Sequence, residues 1–443
     1  MHRAGAIAAL AASALLVAGS VPTAAEPWVT HLYGPQQAVG RSTTDEVPEA
    51  SGVVPSMRRQ NVYWTHNDSG AYRPRVYAFR LSPEDRRRGT VPYLGRVELL
   101  GARIMDWEDI AAGPDGFIYV LDGGDNPPCH RIDKRIYRFK EPALPDTDGP
   151  AALRLGCQWV PFEYPDPADS SRPAARSEDR YDAETLFVHP RTGDMYIVTK
   201  LRSNGRPVAR LYKLPAGAAD WSSRRPSVLR FVTDLSDHVS HMVTAGDVSS
   251  DGRRVLLRNY WAMYRFGPVP SGEPFETIFE QPPLRHPLPR EAMQLLQGEG
   301  ICWAHDGRDV VTVTESPRGS ADDAFRVFIA PWRLANVRVE RDDASSATVV
   351  WQTAEPAPSR VDYRTPDGQL LFEENPRLTT HPRVTLSGLE PATCYGYRVR
   401  AGALLWPLGG AWPEFCTASA PATVPETSAA GPYPPRPLSA AER

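Results

Sequence analysis

One phrase recurs along this chain: a carboxylate, a few apolar residues, a turn, and a second β-rich run. It reads Glu49-Ala-Ser-Gly, then Glu108-Asp-Ile-Ala-Ala-Gly-Pro-Asp-Gly-Phe-Ile-Tyr-Val. It returns as Glu184-Thr-Leu-Phe-Val-His-Pro-Arg-Thr-Gly-Asp-Met-Tyr-Ile-Val and as Asp247-Val-Ser-Ser-Asp-Gly-Arg-Arg-Val-Leu-Leu. The last copy is Glu299-Gly-Ile-Cys-Trp-Ala-His-Asp-Gly-Arg-Asp-Val-Val-Thr-Val. The copies start 59, 76, 63 and 52 residues apart. A period of this size, built from strand–turn–strand units, points to an array of sheets around an axis, a β-propeller.

Each copy is followed by further β-like runs. The third run of each unit keeps one alternation: Arg75-Val-Tyr-Ala-Phe79, Arg135-Ile-Tyr-Arg-Phe139, Arg210-Leu-Tyr-Lys-Leu214 and Ala262-Met-Tyr-Arg-Phe266. Alternating apolar residues mark half-buried strands. Fourth strands are expected at 95–100, 158–162, 228–232 and Phe275-Glu-Thr-Ile-Phe279. The last unit lacks one, and Trp28-Val-Thr-His-Leu-Tyr33 is the expected closing strand. The count gives five blades. The 76-residue interval leaves six as the alternative, although its excess reads as a polar, Pro-rich loop at 165–180. Asp115-Gly, Asp251-Gly and Asp306-Gly read as hairpin turns.

A formal net charge of -3 gives no global field for nucleic acid or an anionic membrane. Residues 1–25 read as a secretory signal: a short basic start, an apolar run from Ala4 to Gly19, and a cut after Ala25. No later stretch is long or apolar enough to span a bilayer. An exported, monomeric protein is expected, with its five cysteines largely paired. Cys129 with Cys157 and Cys394 with Cys416 are the expected disulfides, leaving Cys302 as a buried thiol between Ile301 and Trp303.

The propeller pattern spans 26–332 and then changes. Short alternating strands at 346–351, 359–363, 383–386 and 395–399 fit a β-sandwich over 334–418. The phrase Leu389-Glu-Pro-Ala-Thr-Cys-Tyr395-Gly-Tyr-Arg-Val resembles the fibronectin type III pattern, with Tyr395 in the place of the tyrosine-corner residue and Trp351 in that of the core tryptophan. The module is also similar to the one that precedes purple acid phosphatase domains, but the chain lacks that enzyme's metal-binding motifs. Residues 419–443 are rich in Pro, Ala, Ser and Thr and read as a disordered tail.

Antiparallel pairing puts the start of a blade's first strand and the end of its second at the same end of the sheet. The recurring acids Glu49, Glu108, Glu184, Asp247 and Glu299 should therefore share one face with Asp125 as candidate metal ligands. His66, Asn67, Asp68, Lys200 and Arg258 join them as candidate ligand-binding groups. Such an oxygen-rich, thiol-free set suits calcium. The competing reading is structural: each acid accepts backbone N–H groups and holds the blades in register. Trp107, inside Asp106-Trp-Glu-Asp109, reads as core with sugar or base stacking as the alternative.

Residues 49–330 resemble a family of secreted actinobacterial-type propeller proteins, through Glu49-Ala-Ser-Gly, Trp64-Thr-His-Asn-Asp-Ser-Gly70, Asp106-Trp-Glu-Asp109, Gly124-Asp-Asn126 and Asp247-Val-Ser-Ser-Asp-Gly252. They are distantly similar to the phytase-like esterases. That resemblance implies calcium held by Glu108, Asp125, Glu184, Asp247 and Glu299, and phosphate held by Lys200 and Arg258. The leading expectation is a secreted binding protein whose propeller face takes a small-molecule, glycan or protein ligand, with the fibronectin-like module as spacer or accessory binder. The alternative is a metal-assisted phosphoester or ester hydrolase. A purely structural envelope protein is the third reading.

Overall fold

A computed structural model describes residues 33–419 except 35, 70–71, 126–130, 146–148, 167–180, 204–205, 240–241, 271, 289–296, 316–324, 333, 342–343, 354–355, 403 and 407–411. The expected signal, Cys129, most of the 28–33 strand and nearly all of the tail lie outside the described residues. The chain divides into two compact units, Met1–Trp332 and Arg333–Arg443. Both are all-β, and the described residues hold one α-helix, Pro83–Arg88.

The first unit holds five sheets of four or five strands, plus a two-stranded ribbon. Their first strands are Ala50–Pro55, Trp107–Ala112, Ala183–Val188, Ala245–Val248 and Gly298–Trp303. These strands pack in a closed cycle: first on second, second on third, third on fourth, fourth on fifth, fifth on first. They are buried almost without interruption, whereas outlying strands such as Ala151–Gly156 alternate buried and exposed. A strand covered on both faces needs no polar alternation, so the acids on these strands stand out.

Apolar clusters fill the spaces between neighbouring sheets. One joins Val54 and Trp64 of the first sheet to Ile110 and Tyr137 of the second. Others join the second to the third, the third to the fourth, and the fifth to the first. The tyrosines of the repeated third strand, Tyr77, Tyr137, Tyr212 and Tyr264, are all buried. Each such side chain contributes about 1.5–3 kcal/mol through burial. Trp107 is fully buried beside Tyr137, and its indole N–H donates to the Arg103 carbonyl, so it is core.

Two expected strands move. Phe275–Glu280 is a 3-10 helix, and the fourth sheet's outer strand is Leu284–Pro287. The aromatic run suggested a strand, but Ile278 and Phe279 follow Phe275 at helical spacing and are the residues buried. The fifth sheet is closed by Gln37–Ser42, which pairs antiparallel with Arg326–Ala330. Its weak β character hid it: Gly40 is needed because a Cβ there would lie 2.1 Å from the Gly89 carbonyl oxygen. The Asp-Gly turns form as expected, with Gly252 and Gly307 in the left-handed region.

The second unit is a pair of sheets. Ala335–Arg341, Ser346–Gln352 and Arg383–Ser387 make one; Leu370–Thr379, Ala357–Arg364, Cys394–Ala401 and Leu404–Trp406 make the other, with Glu414–Cys416 paired to Cys394–Ala401. Trp351 is buried between them, and the Tyr395 hydroxyl accepts a hydrogen bond from the Glu390 N–H at 2.8 Å. Cys394 and Cys416 face each other in register and form the expected disulfide. The other expected disulfide pairs Cys157 with Cys129, which lies outside the described residues. Cys157 carries a free thiol, its N–H and Sγ both directed to the Leu100 carbonyl, and Cys302 is a buried free thiol.

Candidate functional site

Four of the five first strands carry a β-bulge at their start. The register skips between Ala50 and Val53, Trp107 and Asp109, Ala183 and Thr185, and Gly298 and Gly300. The extra residue is Glu108 in the second sheet, Glu184 in the third and Glu299 in the fifth. A bulged residue leaves the ladder and re-aims its side chain. In the first sheet Ser51 takes this place and donates to the Glu108 backbone carbonyl at 2.6 Å. The fourth sheet has no bulge: Ala245 pairs directly with Arg258 and Gly246 with Leu257.

Two of the bulged glutamates have an acid two residues earlier, Asp106 before Glu108 and Asp182 before Glu184; Glu49 holds that place in the first sheet, and in the fifth it is Gln297, whose Nε2 donates to Glu299 at 3.4 Å. One carboxylate oxygen from each of Asp68, Asp106 and Glu108 lies within 4.8 Å of the others, and the same holds for Glu108, Asp182 and Glu184. Glu108 therefore belongs to both groups. It is 4% exposed, and its Oε1 has no hydrogen-bonding partner. Gly124 permits this crowding, since a Cβ there would sit 1.9 Å from Glu108 Oε1 and 2.5 Å from Asp106 Oδ2.

Burial first, then their neighbours, push these carboxyls above the ordinary range. Glu108 is raised by burial and by the charges of Glu184, Asp68, Asp106 and Asp182. Asp68 is raised by burial and by Asp106, Glu315, Glu299 and Glu49. Glu184 is raised by burial against the opposing charge of Lys200, whose Nζ stands 2.7 Å away. Burial likewise raises Glu299 against Lys200 and Arg258. Burial opposes the charge on Lys200, yet Glu184, Tyr260, Glu299 and Asp182 carry its pKa well up. The pool thus gathers Glu49, Asp68, Asp106, Glu108, Asp182, Glu184, Glu299 and Glu315 around Lys200 and Arg258. Carboxylates outnumber cations among the described residues, an arrangement that is costly unless protons or a bound cation compensate.

The remaining predicted site residues stand apart. Asp247 lies one ladder step deeper than the bulged glutamates, because its strand has no bulge. Its Oδ1 accepts from the Val248 N–H at 2.8 Å and its Oδ2 from the Trp303 N–H at 2.9 Å, while burial pushes its carboxyl up to about 7. Asp125 is consumed by Lys134 at 3.1 Å and by the Arg131 N–H at 2.9 Å. Asn67 accepts from the Glu49 N–H and donates to the Glu46 carbonyl, closing the first sheet's entry loop. His66 is fully buried against Trp107, and burial lowers its imidazole to about 4, so it is neutral. Arg258 reaches the pool but is held by the Asn259 and Gly300 carbonyls.

Sequence reasoning missed Asp182 and Tyr260. A signal for the first was present, because Asp182-Ala-Glu184 repeats the spacing of Asp106-Trp-Glu108. Tyr260 carries no such pattern; the loop after Arg258 brings its ring to Lys200, 5.9 Å from Nζ.

No protein-family model matches the chain, and a search of curated proteins finds no match. Solved structures do resemble it at low identity. A GH43 β-1,3-galactosidase bound to galactodeoxynojirimycin is 10% identical, with 69% of this chain and 96% of that chain covered and a TM-score of 0.37. A GH32 β-fructofuranosidase from Bombyx mori is 9% identical, with 88% of each chain covered and a TM-score of 0.32. The pyranose dehydrogenase PQQ domain from Coprinopsis cinerea is 9% identical, with 63% of this chain and 81% of that chain covered and a TM-score of 0.31.

Proposed function

We propose that the first unit is a five-bladed β-propeller whose axial carboxylates hold a divalent cation of the calcium class, as the centre of a ligand-binding face. The closed cycle of first strands supports the blade count. One observation carries the cation: Glu108 Oε1 is buried, has no hydrogen-bonding partner, and lies between two groups of carboxylate oxygens. A buried charge left unpaired is costly, and a bound cation removes that cost. Asp68, Asp106, Glu108, Asp182 and Glu184 would hold it, and an all-oxygen set favours calcium over thiophilic metals. When bound, the ion supplies positive charge and coordination positions that ligand oxygens can share. On this reading the protein is an exported binding protein. The Cys394–Cys416 disulfide supports export. The second unit, with its buried Trp351 and the Tyr395–Glu390 hydrogen bond, is read as a fibronectin type III-like spacer or accessory binder.

The hydrolytic alternative needs an anion site. The charge of Lys200 is paired with Glu184, Arg258 is held by two carbonyls, and the surrounding charge is negative, so a phosphate is disfavoured. Metal analysis and calorimetric calcium titration of the whole chain test the proposal. Binding that weakens at least roughly tenfold in Glu108→Gln supports it. A folded wild type that takes up no divalent ion overturns it. Calcium-dependent turnover of a phosphoester or ester panel would replace binding with hydrolysis.

A further inference from the structure

Beside the charged pool stands an exposed aromatic group that the cation does not use. Trp261 is 49% exposed, on the loop from Arg258 to Ala262 that opens on the carboxylate end of the fourth sheet. Isolated exposed aromatics are unremarkable on protein surfaces, but this one stands on a backbone pinned by hydrogen bonds. Asn259 Oδ1 accepts from the N–H groups of both Trp261 and Ala262, at 2.9 and 2.8 Å. The Trp261 carbonyl accepts from the Leu288 N–H at 2.7 Å. Tyr260 meets the indole edge to face, with ring centroids 5.8 Å apart. Tyr260 also links the platform to the pool, with its ring 5.9 Å from Lys200 Nζ.

We infer that Trp261 is a stacking platform for a neutral saccharide whose hydroxyls reach Tyr260, Glu299 and Lys200. This rests on the reading of the carboxylate end as a ligand-binding face. The chemistry selects the class. A pyranose offers an apolar C–H face to a fixed indole and a ring of hydroxyls that both donate and accept. Lys200 donates, Glu299 accepts and the Tyr260 hydroxyl does both, so such a ligand satisfies all three. An anionic ligand meets the excess of carboxylates, and a quaternary ammonium meets Lys200 and leaves its donors unused. A platform already ordered before binding loses little entropy when a sugar stacks on it.

The test is calorimetric titration of the full chain, with calcium present, against neutral hexaoses of glucose, xylose, mannose and galactose. Binding of at least one hexaose is expected. Trp261→Ala should weaken it roughly tenfold or more, Trp261→Phe less, while calcium affinity and the melting temperature stay unchanged. Two results overturn the inference and leave the cation site standing: calcium binding with no hexaose bound, or hexaose binding that Trp261→Ala does not alter. Loss of calcium binding in the wild type instead defeats the cation reading, and the hexaose titration still decides the platform.

Discussion

Glu108 and Asp109 are neighbours in one strand, both buried, and they do opposite things. Asp109 lies on the ladder and is saturated: Oδ1 accepts from the Ile110 N–H, and Oδ2 from Leu186 in the third sheet and Gly246 in the fourth, at 2.9, 3.0 and 3.1 Å. Glu108 lies on the bulge and keeps an oxygen without a hydrogen bond. Asp247 sides with Asp109, tying the fourth sheet to Trp303 of the fifth. In the second sheet a single inserted residue thus separates Asp109, which holds sheets together, from Glu108, which keeps an oxygen without a hydrogen bond. Asp109 and Asp247 have the contacts the register reading calls for, and the proposed cation site falls on the bulged Glu108 beside Asp109.

The contrast can be broken most severely at Asp109. Asp109→Ala leaves three buried N–H groups unpaired in three sheets and should cost about 3 kcal/mol in urea unfolding, with calcium affinity per folded molecule nearly unchanged. A loss under about 1 kcal/mol would remove its register role. Asp247→Ala strands two N–H groups and should cost about 2 kcal/mol by the same measurement. Glu108→Gln should behave in the opposite sense. With divalent ions chelated it should unfold at slightly higher urea, by about 1 kcal/mol, because a buried charge is gone, and the gain from added calcium should vanish. An equal loss of stability in Glu108→Gln and Asp109→Ala would erase the distinction.

The gentlest probe is pH. Asp68, Glu108, Glu184 and Glu299 have carboxyls raised in the folded state, so the folded protein binds protons more tightly than the unfolded chain. Their contribution to stability is complete below the ordinary carboxylate range and is lost as pH rises through the raised values. Chelator-treated protein should therefore lose stability steadily as pH rises above about 4.5, and calcium should flatten that slope by replacing the protons. A slope unaffected by calcium would detach the ion from these four acids.

The repeat of acid, turn and β-run was enough to place all five first strands, since strand burial and Asp-Gly turns are local properties. Glu108, Glu184 and Glu299 were legible because each opens a copy. Asp247 was not, because aligning copies on their acids assumes a common register, and only pairing with Arg258 and Leu257 reveals that its strand lacks the bulge. Asp125 looked free until folding brought Lys134 and the Arg131 N–H to it. The closing strand was hidden for a similar reason: what fits Gln37–Ser42 to its place is the room Gly40 leaves beside Gly89, a contact between segments distant in sequence.

That closure sets the order in which the ring can be assembled. Most strands of the first unit are delivered from nearby chain; Ala151–Gly156 joins the first sheet and Ser227–Val228 the second across one intervening sheet, whereas Gln37–Ser42 pairs with Arg326–Ala330 across nearly the whole unit. Hairpins form from local contacts, while this joint brings together opposite ends of the unit and bears the largest loop-closure entropy. Until it forms, the first and fifth sheets keep the apolar faces of their shared cluster open to water. Loop-closure entropy therefore predicts that the seam forms late in folding. Relinking the ends and reopening the chain between two other sheets would turn the seam into an ordinary covalent junction and carry the closing role to a different sheet.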